Sequence, residues 1–308
     1  MNLRVVSYNV RYFGHATKGV ASTRGGVTGI ARALAGLTPL PEIVCLQEVE
    51  ATSLRSTLTL ERHSASLQLD SFTRALDDAF RARGQTNPYE ALYYFAHAHR
   101  FSRFKLASMG LAVLVDTRAL RIDEHNCATP EHVTHAHVRL LEGRKQKRIC
   151  AHVRLLLPDG RPLHVFNTHL SLPTPFAKAF WRGARLGHGH NQVAEARKLT
   201  RYIESRARHE PLLLAGDFNS PPYSPVFDAL THDTGLVSAQ AQLGQIGPHA
   251  RVFPTAGFFA LRMHLDHLFV GNGVRARDLE GTKPFGDDSS PFAGKSDHVP
   301  LIARIELA

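Results

Sequence analysis

The segment that decides the fold reads Leu-Leu-Leu-Ala-Gly-Asp-Phe-Asn and occupies residues 212–219. A short apolar run of this kind, bounded by glycine, is typical of a buried strand. The run leads directly into an acid, Asp217, and an amide, Asn219. Because a carboxylate in such a position is costly to bury unless it binds something, the segment predicts a sheet with a functional site at its edge.

Strand-like and helix-like segments alternate with this one along all 308 residues. Apolar and β-branched runs predict strands at residues 3–10, 43–48, 111–115, 149–157, 162–169, 211–216, 265–270 and 298–306. Helical spacing of apolar residues predicts helices at residues 28–36, 70–83 and 191–207. The turn signal Pro158-Asp159-Gly160 predicts that the strands on its two sides form a hairpin. Intermixed elements without a long linker indicate a single α/β domain over residues 1–308.

The composition bounds the classes of partner. The formal charge is +10, from 37 basic and 27 acidic residues. Such a surface suits nucleic acid or an anionic membrane, although a compositional bias toward arginine gives the same charge without any partner. No segment approaches the ~20 apolar residues that span a bilayer, and no signal peptide is evident. We therefore expect a cytoplasmic protein without stable membrane insertion, and no sequence feature specifies an oligomeric state.

Eight polar residues share one location, at or beside the end of a predicted strand. They are Asn9, Glu48, His169, Asp217, Asn219, Asp266, Asp297 and His298. Strand ends that meet at one rim of a sheet are where α/β folds tend to place their sites. Carboxylates that converge there repel each other, and a hard cation such as Mg²⁺ removes the conflict. Histidines beside carboxylates can stay protonated and donate to a phosphoryl oxygen, so the set predicts a metal-assisted hydrolase of phosphate esters.

Six short segments carry these residues in order along the chain. They are Ser7-Tyr8-Asn9-Val10-Arg11, Leu46-Gln47-Glu48-Val49, Asn167-Thr168-His169-Leu170, Gly216-Asp217-Phe218-Asn219, Leu265-Asp266-His267 and Ser296-Asp297-His298-Val299-Pro300. Together they resemble the signature segments of the endonuclease/exonuclease/phosphatase superfamily, which includes deoxyribonucleases, neutral sphingomyelinases and inositol-phosphate 5-phosphatases. The resemblance covers nearly the whole chain. It implies a four-layer α/β sandwich, with two mixed β-sheets packed face to face and helices on the outer faces.

The resemblance also implies the metal ligands. Glu48 would be the main ligand of Mg²⁺, with Asn9 and Asp297 beside it. Mn²⁺ is an alternative ion, because oxygen ligands accept both.

The remaining five residues would act on the phosphate and the attacking water. Asp217 would orient or deprotonate the water, and Asn219 would hold the water or a phosphoryl oxygen. His298, paired with Asp266, would bind the scissile phosphate and stabilise charge in the transition state. His169 would contact the phosphate from the other side. The resemblance leaves open whether Asp217 or the Asp266–His298 pair is the general base.

The substrate is less constrained than the site. The net charge and a basic segment at residues 171–192 favour a nuclease that acts on DNA or RNA. A phosphatase or phosphodiesterase for phospholipid, inositol-phosphate or nucleotide substrates is the alternative, since those substrates are also anionic. A scaffold without activity is the third hypothesis, which the intact set of eight residues disfavours. The basic run at residues 144–148 is predicted to be a solvated hairpin turn, with a nucleic-acid patch as its alternative.

Overall fold

The computed structural model describes residues 1–13, 20–53, 68–101, 104–135, 147–173, 185–232, 234–247, 254–258, 261–280 and 289–308. The strands, numbered along the chain, are β1 (Asn2–Asn9), β2 (Ile43–Ser53), β3 (Tyr89–Phe101), β4 (Phe104–Asp116), β5 (Arg121–His125), β6 (Glu131–His132), β7 (Ile149–Leu156), β8 (Pro162–His169), β9 (Leu212–Asp217), β10 (Val237–Ser238), β11 (Ala256–Phe258), β12 (Leu261–Met263), β13 (Asp266–Gly271), β14 (Val274–Leu279) and β15 (Leu301–Leu307). The helices are α1 (Val20–Ala35), α2 (Gln68–Arg81), α3 (His190–Ala207), α4 (Pro225–His232) and α5 (Ala239–Gln242).

Most of the strands form two large mixed sheets. The first sheet has the order β14-β15-β1-β2-β4-β3. The second has the order β10-β13-β9-β8-β7-β5, with β6 paired to β7. Strands β1 and β2 run parallel in the first sheet, and β8 and β9 run parallel in the second. Each parallel pair is flanked by antiparallel neighbours, so the start of a neighbour lies at the same edge as the ends of the pair.

The two faces of each sheet bury different clusters of apolar side chains, because successive residues of a strand point to opposite faces. In β1, Val5 packs between the two sheets, whereas the next residue, Val6, packs against α1 and α2. In the second sheet, Leu213 joins the cluster between the sheets, and Leu214 packs against α3 and α4. The result is the four-layer α/β sandwich that the resemblance implied.

A polar contact between the sheets lies close to the edge that carries the predicted site. The Asn167 side chain of β8 donates hydrogen bonds to the carbonyls of Leu46 and Ala112 in the first sheet, at 3.0 and 3.1 Å. Its own oxygen accepts a 2.8 Å bond from the Gln47 side chain. All of these groups are buried. Because unpaired buried polar groups are costly, this network favours one alignment of the two sheets.

The predicted elements agree with the structure in kind and differ in extent. The hairpin across residues 158–160 is confirmed by the pairing of β7 with β8. The predicted strand 111–115 is the end of a longer strand, β4, whose partner β3 was not predicted. Helix α1 begins eight residues before the predicted start at residue 28. Among the described residues, the helices are too short or too polar to cross a bilayer.

Candidate active site

The pairing of three strands aligns three of the predicted residues in one row. Strands β8 and β9 are parallel, and their last residues, His169 and Asp217, are direct neighbours. Strand β13 runs antiparallel to β9, so its first residue, Asp266, is the neighbour of Asp217 on the other side. All three side chains are nearly or fully buried, with Asp217 at 2% exposure in the centre.

Strands β8 and β9 approach closely at the centre of the row because residue 216 is a glycine. A Cβ at Gly216 would lie 2.2 Å from the carbonyl oxygen of Thr168, which is far inside contact distance. After the row, Asn219 turns the chain with a φ of 49°. Its backbone N–H donates to the Asp217 carboxylate at 2.9 Å, and its side chain donates to the carbonyl of Leu170 at 2.9 Å. These bonds fix Asn219 at the end of the row.

The first sheet brings Asn9 and Glu48 to the same edge. Asn9 ends β1, and its amide nitrogen lies 3.0 Å from a carboxylate oxygen of Asp217 and 3.4 Å from one of Glu48. The pairing of β2 with β4 is irregular between Leu46 and Val49, and Glu48 lies within this bulge with a φ of 56°. Bulges re-aim side chains beside active sites. Here the bulge leaves the Glu48 side chain 18% exposed and 3.9 Å from the His169 ring.

The segment before β15 supplies the last two predicted residues. The Ser296 hydroxyl donates to the carbonyl of Asn9 at 2.7 Å and accepts from the backbone N–H of His298. The His298 ring then meets Asp266 through its Nδ1, at 2.8 Å, and its Nε2 lies 3.7 Å from the Asp217 carboxylate. Asp297 forms an ion pair with Arg11.

Burial and neighbouring charges set the protonation of the site. Burial, together with repulsion from Asp266, raises the pKa of Asp217 to about 7. Burial alone would lower the pKa of His298, but the carboxylates of Asp266 and Asp217 outweigh it and raise this pKa to about 9. Burial lowers the pKa of His169 well below its ordinary value, and the charges of Arg148 and His298 add to the effect. The site therefore holds a cationic His298 and a neutral His169 at neutral pH.

The predicted metal ligands fit a divalent cation unequally. Glu48 fits well, since its carboxylate has only the long 3.4 Å bond from Asn9 and the distant His169 ring as described partners. Asn9 turns its amide nitrogen toward the carboxylates, while its oxygen accepts from the N–H of Arg11 at 3.0 Å. It would have to reverse its amide to ligate. The carboxylate of Asp297 faces the guanidinium of Arg11. This cationic side chain occupies the position that a metal ion bound to Asp297 would take.

A second group of side chains is also close enough to share an ion. One ligand atom from each of Asp217, Asp266 and His298 lies within 4.8 Å of the others. The sequence predicted these three as catalytic residues and not as ligands. With His298 cationic and bonded to Asp266, one of the two carboxylates is already neutralised without a metal, so Glu48 remains the better anchor for an ion.

Two basic residues that were not among the predicted site residues lie beside the site. Lys147 and Arg148 line a cavity together with Glu48 and His169. The basic run 144–148 was predicted to be a solvated turn; Lys147 is exposed, whereas Arg148 is partly buried at the cavity. Residues 144–146 of the run lie outside the described residues, as do residues 174–184 of the basic segment predicted at 171–192.

Another missed residue supports the site from behind. Gln192 of α3 is fully buried, and its side chain donates to the carbonyls of Ser171 and Asn219 at 2.8 and 2.9 Å. It thereby ties the segments that follow β8 and β9 to one helix. From the sequence, Gln192 is only one position of an amphipathic helix, and that pattern does not distinguish a buried glutamine from an exposed one.

Comparisons with known proteins agree with the fold and identify a family. The model of the endonuclease/exonuclease/phosphatase family matches residues 6–298. A comparison with curated protein sequences finds no match.

Solved structures share the fold at low sequence identity. The human Nocturnin catalytic domain is 17% identical with a TM-score of 0.62, over 100% of this chain and 95% of that one. A mannosyl-6-phosphatase of Bacteroides thetaiotaomicron is 18% identical with a TM-score of 0.62, over 99% of both chains. TDP2 of D. rerio, in complex with a single-strand DNA product, is 16% identical with a TM-score of 0.58, over 99% of both chains.

Proposed function

The chain belongs to the endonuclease/exonuclease/phosphatase family, whose members hydrolyse phosphate esters, and from this premise we propose that it cleaves phosphodiester bonds of nucleic acid with the help of a divalent metal ion. The ion would be Mg²⁺ or Mn²⁺. The net charge of +10 supports a polyanionic substrate. The complex of D. rerio TDP2 with a DNA product shows the same fold beside nucleic acid.

The observation that carries the proposed hydrolysis is the row of His169, Asp217 and Asp266, with His298 placed 3.7 Å from Asp217. Asp266 is already engaged by His298, so we assign Asp266 to orient the imidazolium. Asp217 lies at the centre of the row, and we assign it to receive the proton of the attacking water. The two carboxylates thus differ in role because they differ in partner.

The other predicted residues complete the proposed reaction. The Nε2 of His298 would donate to a phosphoryl oxygen, where negative charge grows in the transition state. Asn219 would hold the water or a second phosphoryl oxygen, and His169 would contact the phosphate from the far side of Asp217. A divalent ion held by Glu48, with Asp297 and Asn9 beside it, would neutralise charge on the phosphate.

A small phosphate ester is the second candidate substrate. The mannosyl-6-phosphatase of Bacteroides thetaiotaomicron has the same fold, and none of the contacts within the row requires a polymer. Phospholipid, inositol-phosphate and nucleotide substrates all belong to this alternative.

The proposal is tested by turnover of a panel with Mg²⁺ or Mn²⁺: plasmid DNA, single-stranded DNA, RNA, sphingomyelin, an inositol polyphosphate and bis-p-nitrophenyl phosphate. We expect cleavage of nucleic acid that EDTA abolishes and that high salt weakens, since phosphate contacts release counterions. Turnover of a small ester alone would instead support the second candidate. Activity that survives chelation would contradict the metal mechanism.

The variant Glu48→Gln tests the metal anchor. It removes the charge and keeps the shape, and we expect it to lower kcat by about 100-fold or more, because a bound metal contributes several kcal/mol. The matched control is Glu90→Gln, since Glu90 is exposed on β3. Equal rates for the two variants would remove Glu48 from the mechanism.

A further inference from the structure

A cavity opens beside the proposed catalytic row, on the side of Glu48 and His169. Its other lining residues include two cationic side chains, Lys147 and Arg148, and small or apolar residues, among them Gly110 and Ile149. The row itself needs no cation from this direction, because His298 supplies one and the proposed metal ion supplies another. The positive charge of this wall is therefore not used by the proposed chemistry.

Both the backbone and the side chain of Arg148 are held in place by neighbouring residues. Its backbone N–H donates to the Thr134 hydroxyl at 2.6 Å, and its carbonyl accepts from Val133 at 3.0 Å. Its Nε donates to the Ser171 hydroxyl at 3.3 Å. Ser171 in turn donates through both its N–H and its hydroxyl to the carboxylate of Glu195, at 2.9 Å each. Glu195 is fully buried on α3, so a rigid helix positions the guanidinium.

The terminal nitrogens of Arg148 have no protein acceptor among the described residues. This differs from Arg154 and Arg161, whose guanidinium groups pair with the carboxylates of Glu210 and Asp159. Within the described part of the chain, Lys147 also lacks an ion-pair partner. A guanidinium that is held by its Nε and open at its two terminal nitrogens matches the geometry of a phosphate oxygen pair.

We propose that Lys147 and Arg148 form a subsite for a second phosphate of the substrate, next to the phosphate that is cleaved. The subsite rests on the proposed function, since its cavity is also lined by His169 of the catalytic row and by Glu48, the proposed metal ligand. It selects substrates that carry at least two phosphates. These are either the neighbouring phosphodiester of a nucleic acid or the second phosphate of a small molecule.

The experiment compares substrates that differ by one phosphate. Dithymidine with one phosphodiester and trithymidine with two form the nucleic-acid pair, and an inositol monophosphate and bisphosphate form the small-molecule pair. We expect Arg148→Ala to lower kcat/KM for the two-phosphate member by about 10- to 100-fold more than for the one-phosphate member, because a charged hydrogen bond to phosphate is lost. The pair that responds identifies the source of the second phosphate.

Three further variants sharpen the result. Ser171→Ala removes the partner of the Nε and should give a smaller effect in the same direction. Arg148→Lys keeps the charge without the bond to Ser171 and should fall between the wild type and Arg148→Ala. The control is Arg161→Ala, an exposed arginine in the turn at the opposite end of β8, which should leave both rates unchanged. An equal fall for both members of each pair in Arg148→Ala would overturn the subsite.

The subsite and the proposed function can fail separately. If the wild type turns over neither pair, calorimetry of inorganic pyrophosphate and of trithymidine measures the subsite without turnover. Binding that Arg148→Ala weakens at least tenfold would uphold the subsite while the proposed reaction fails. Binding that is equal in the wild type and Arg148→Ala would overturn the subsite as well.

Discussion

The variant Asp266→Asn isolates the role of one charge in the site. Asp266 is 1% exposed, and its carboxylate lies 2.8 Å from the Nδ1 of His298. Its backbone N–H is bound to the Thr255 hydroxyl at 3.0 Å, so the strand holds this position whatever the side chain. Asparagine keeps the shape and one acceptor oxygen, but it removes the negative charge that opposes the effect of burial on His298.

The magnitude follows from the charge state of His298. Burial lowers the pKa of His298, and Asp266 and Asp217 together raise it to about 9. Without Asp266 we expect this pKa to fall to its ordinary value of about 6.5 or below, which corresponds to ~3 kcal/mol of lost stabilisation of the cation. If the imidazolium binds the phosphate in the transition state, kcat should fall by about fourfold or more at pH 7, and by about 100-fold near pH 8.5, where the wild-type His298 is still mostly cationic.

The assay is kcat at saturating substrate between pH 5 and 10, with the free energy of unfolding measured alongside. In the wild type the cationic form of His298 persists until the pH rises through about 9, so the alkaline limb should lie there. In Asp266→Asn the limb should move below neutral pH. The control is Asp278→Asn, because Asp278 forms an exposed pair with Arg304. A folded Asp266→Asn variant whose kcat near pH 8.5 is within about threefold of the wild type would refute the assigned role.

Two further predictions concern stability. Gly216→Ala would place a methyl carbon 2.2 Å from the Thr168 carbonyl oxygen. Its free energy of unfolding, measured by urea denaturation, should therefore be ~3 kcal/mol lower than that of the wild type. An unchanged urea midpoint would contradict the close approach. Burial, and secondarily the charge of His164, lower the pKa of His152 to about 3. Because this folded-state pKa is depressed, His152 should cost ~1.4 kcal/mol of stability per pH unit as the pH falls from 6.5 toward 3. His152→Gln should make the free energy of unfolding depend less steeply on pH in this range. An unchanged dependence would exclude His152 as its source.

Most of the site residues could be predicted from the sequence, because they lie at or beside the start or end of a strand. Glu48 is the exception, because β2 continues past it to Ser53 and a bulge inside the strand places its side chain at the site. An apolar run fixes a strand and its last residue, as in the segment that ends at Asp217. Once strands β8 and β9 are parallel, their ends must share an edge, and His169 must approach Asp217. The position of Asp266 is subtler, since it begins its strand. It joins the row because β13 runs antiparallel to β9, and a single sequence does not specify that direction.

The support of the site could not be predicted in the same way. Arg148 belongs to a basic run whose local pattern is that of an exposed turn. Its place at the cavity depends on two hydrogen bonds: one from Arg148 to Ser171, 23 residues away, and one from Ser171 to Glu195. These contacts arise only when β7, β8 and α3 have packed. Hydrophobic periodicity predicts which face of a helix or strand is buried, but it does not predict such polar contacts.

Asn9 shows how the packing of the sheets changes the meaning of a residue. From the resemblance alone it is a ligand that offers an oxygen to a metal. In the structure its amide donates to Asp217 of the second sheet and to Glu48 of its own sheet. Close to these residues, a hydrogen bond between the side chains of Gln47 and Asn167 joins the two sheets. Two carboxylates that approach from different sheets would repel each other, and the amide between them lowers that cost. Asn9 therefore serves the assembly of the site as well as any ion bound there.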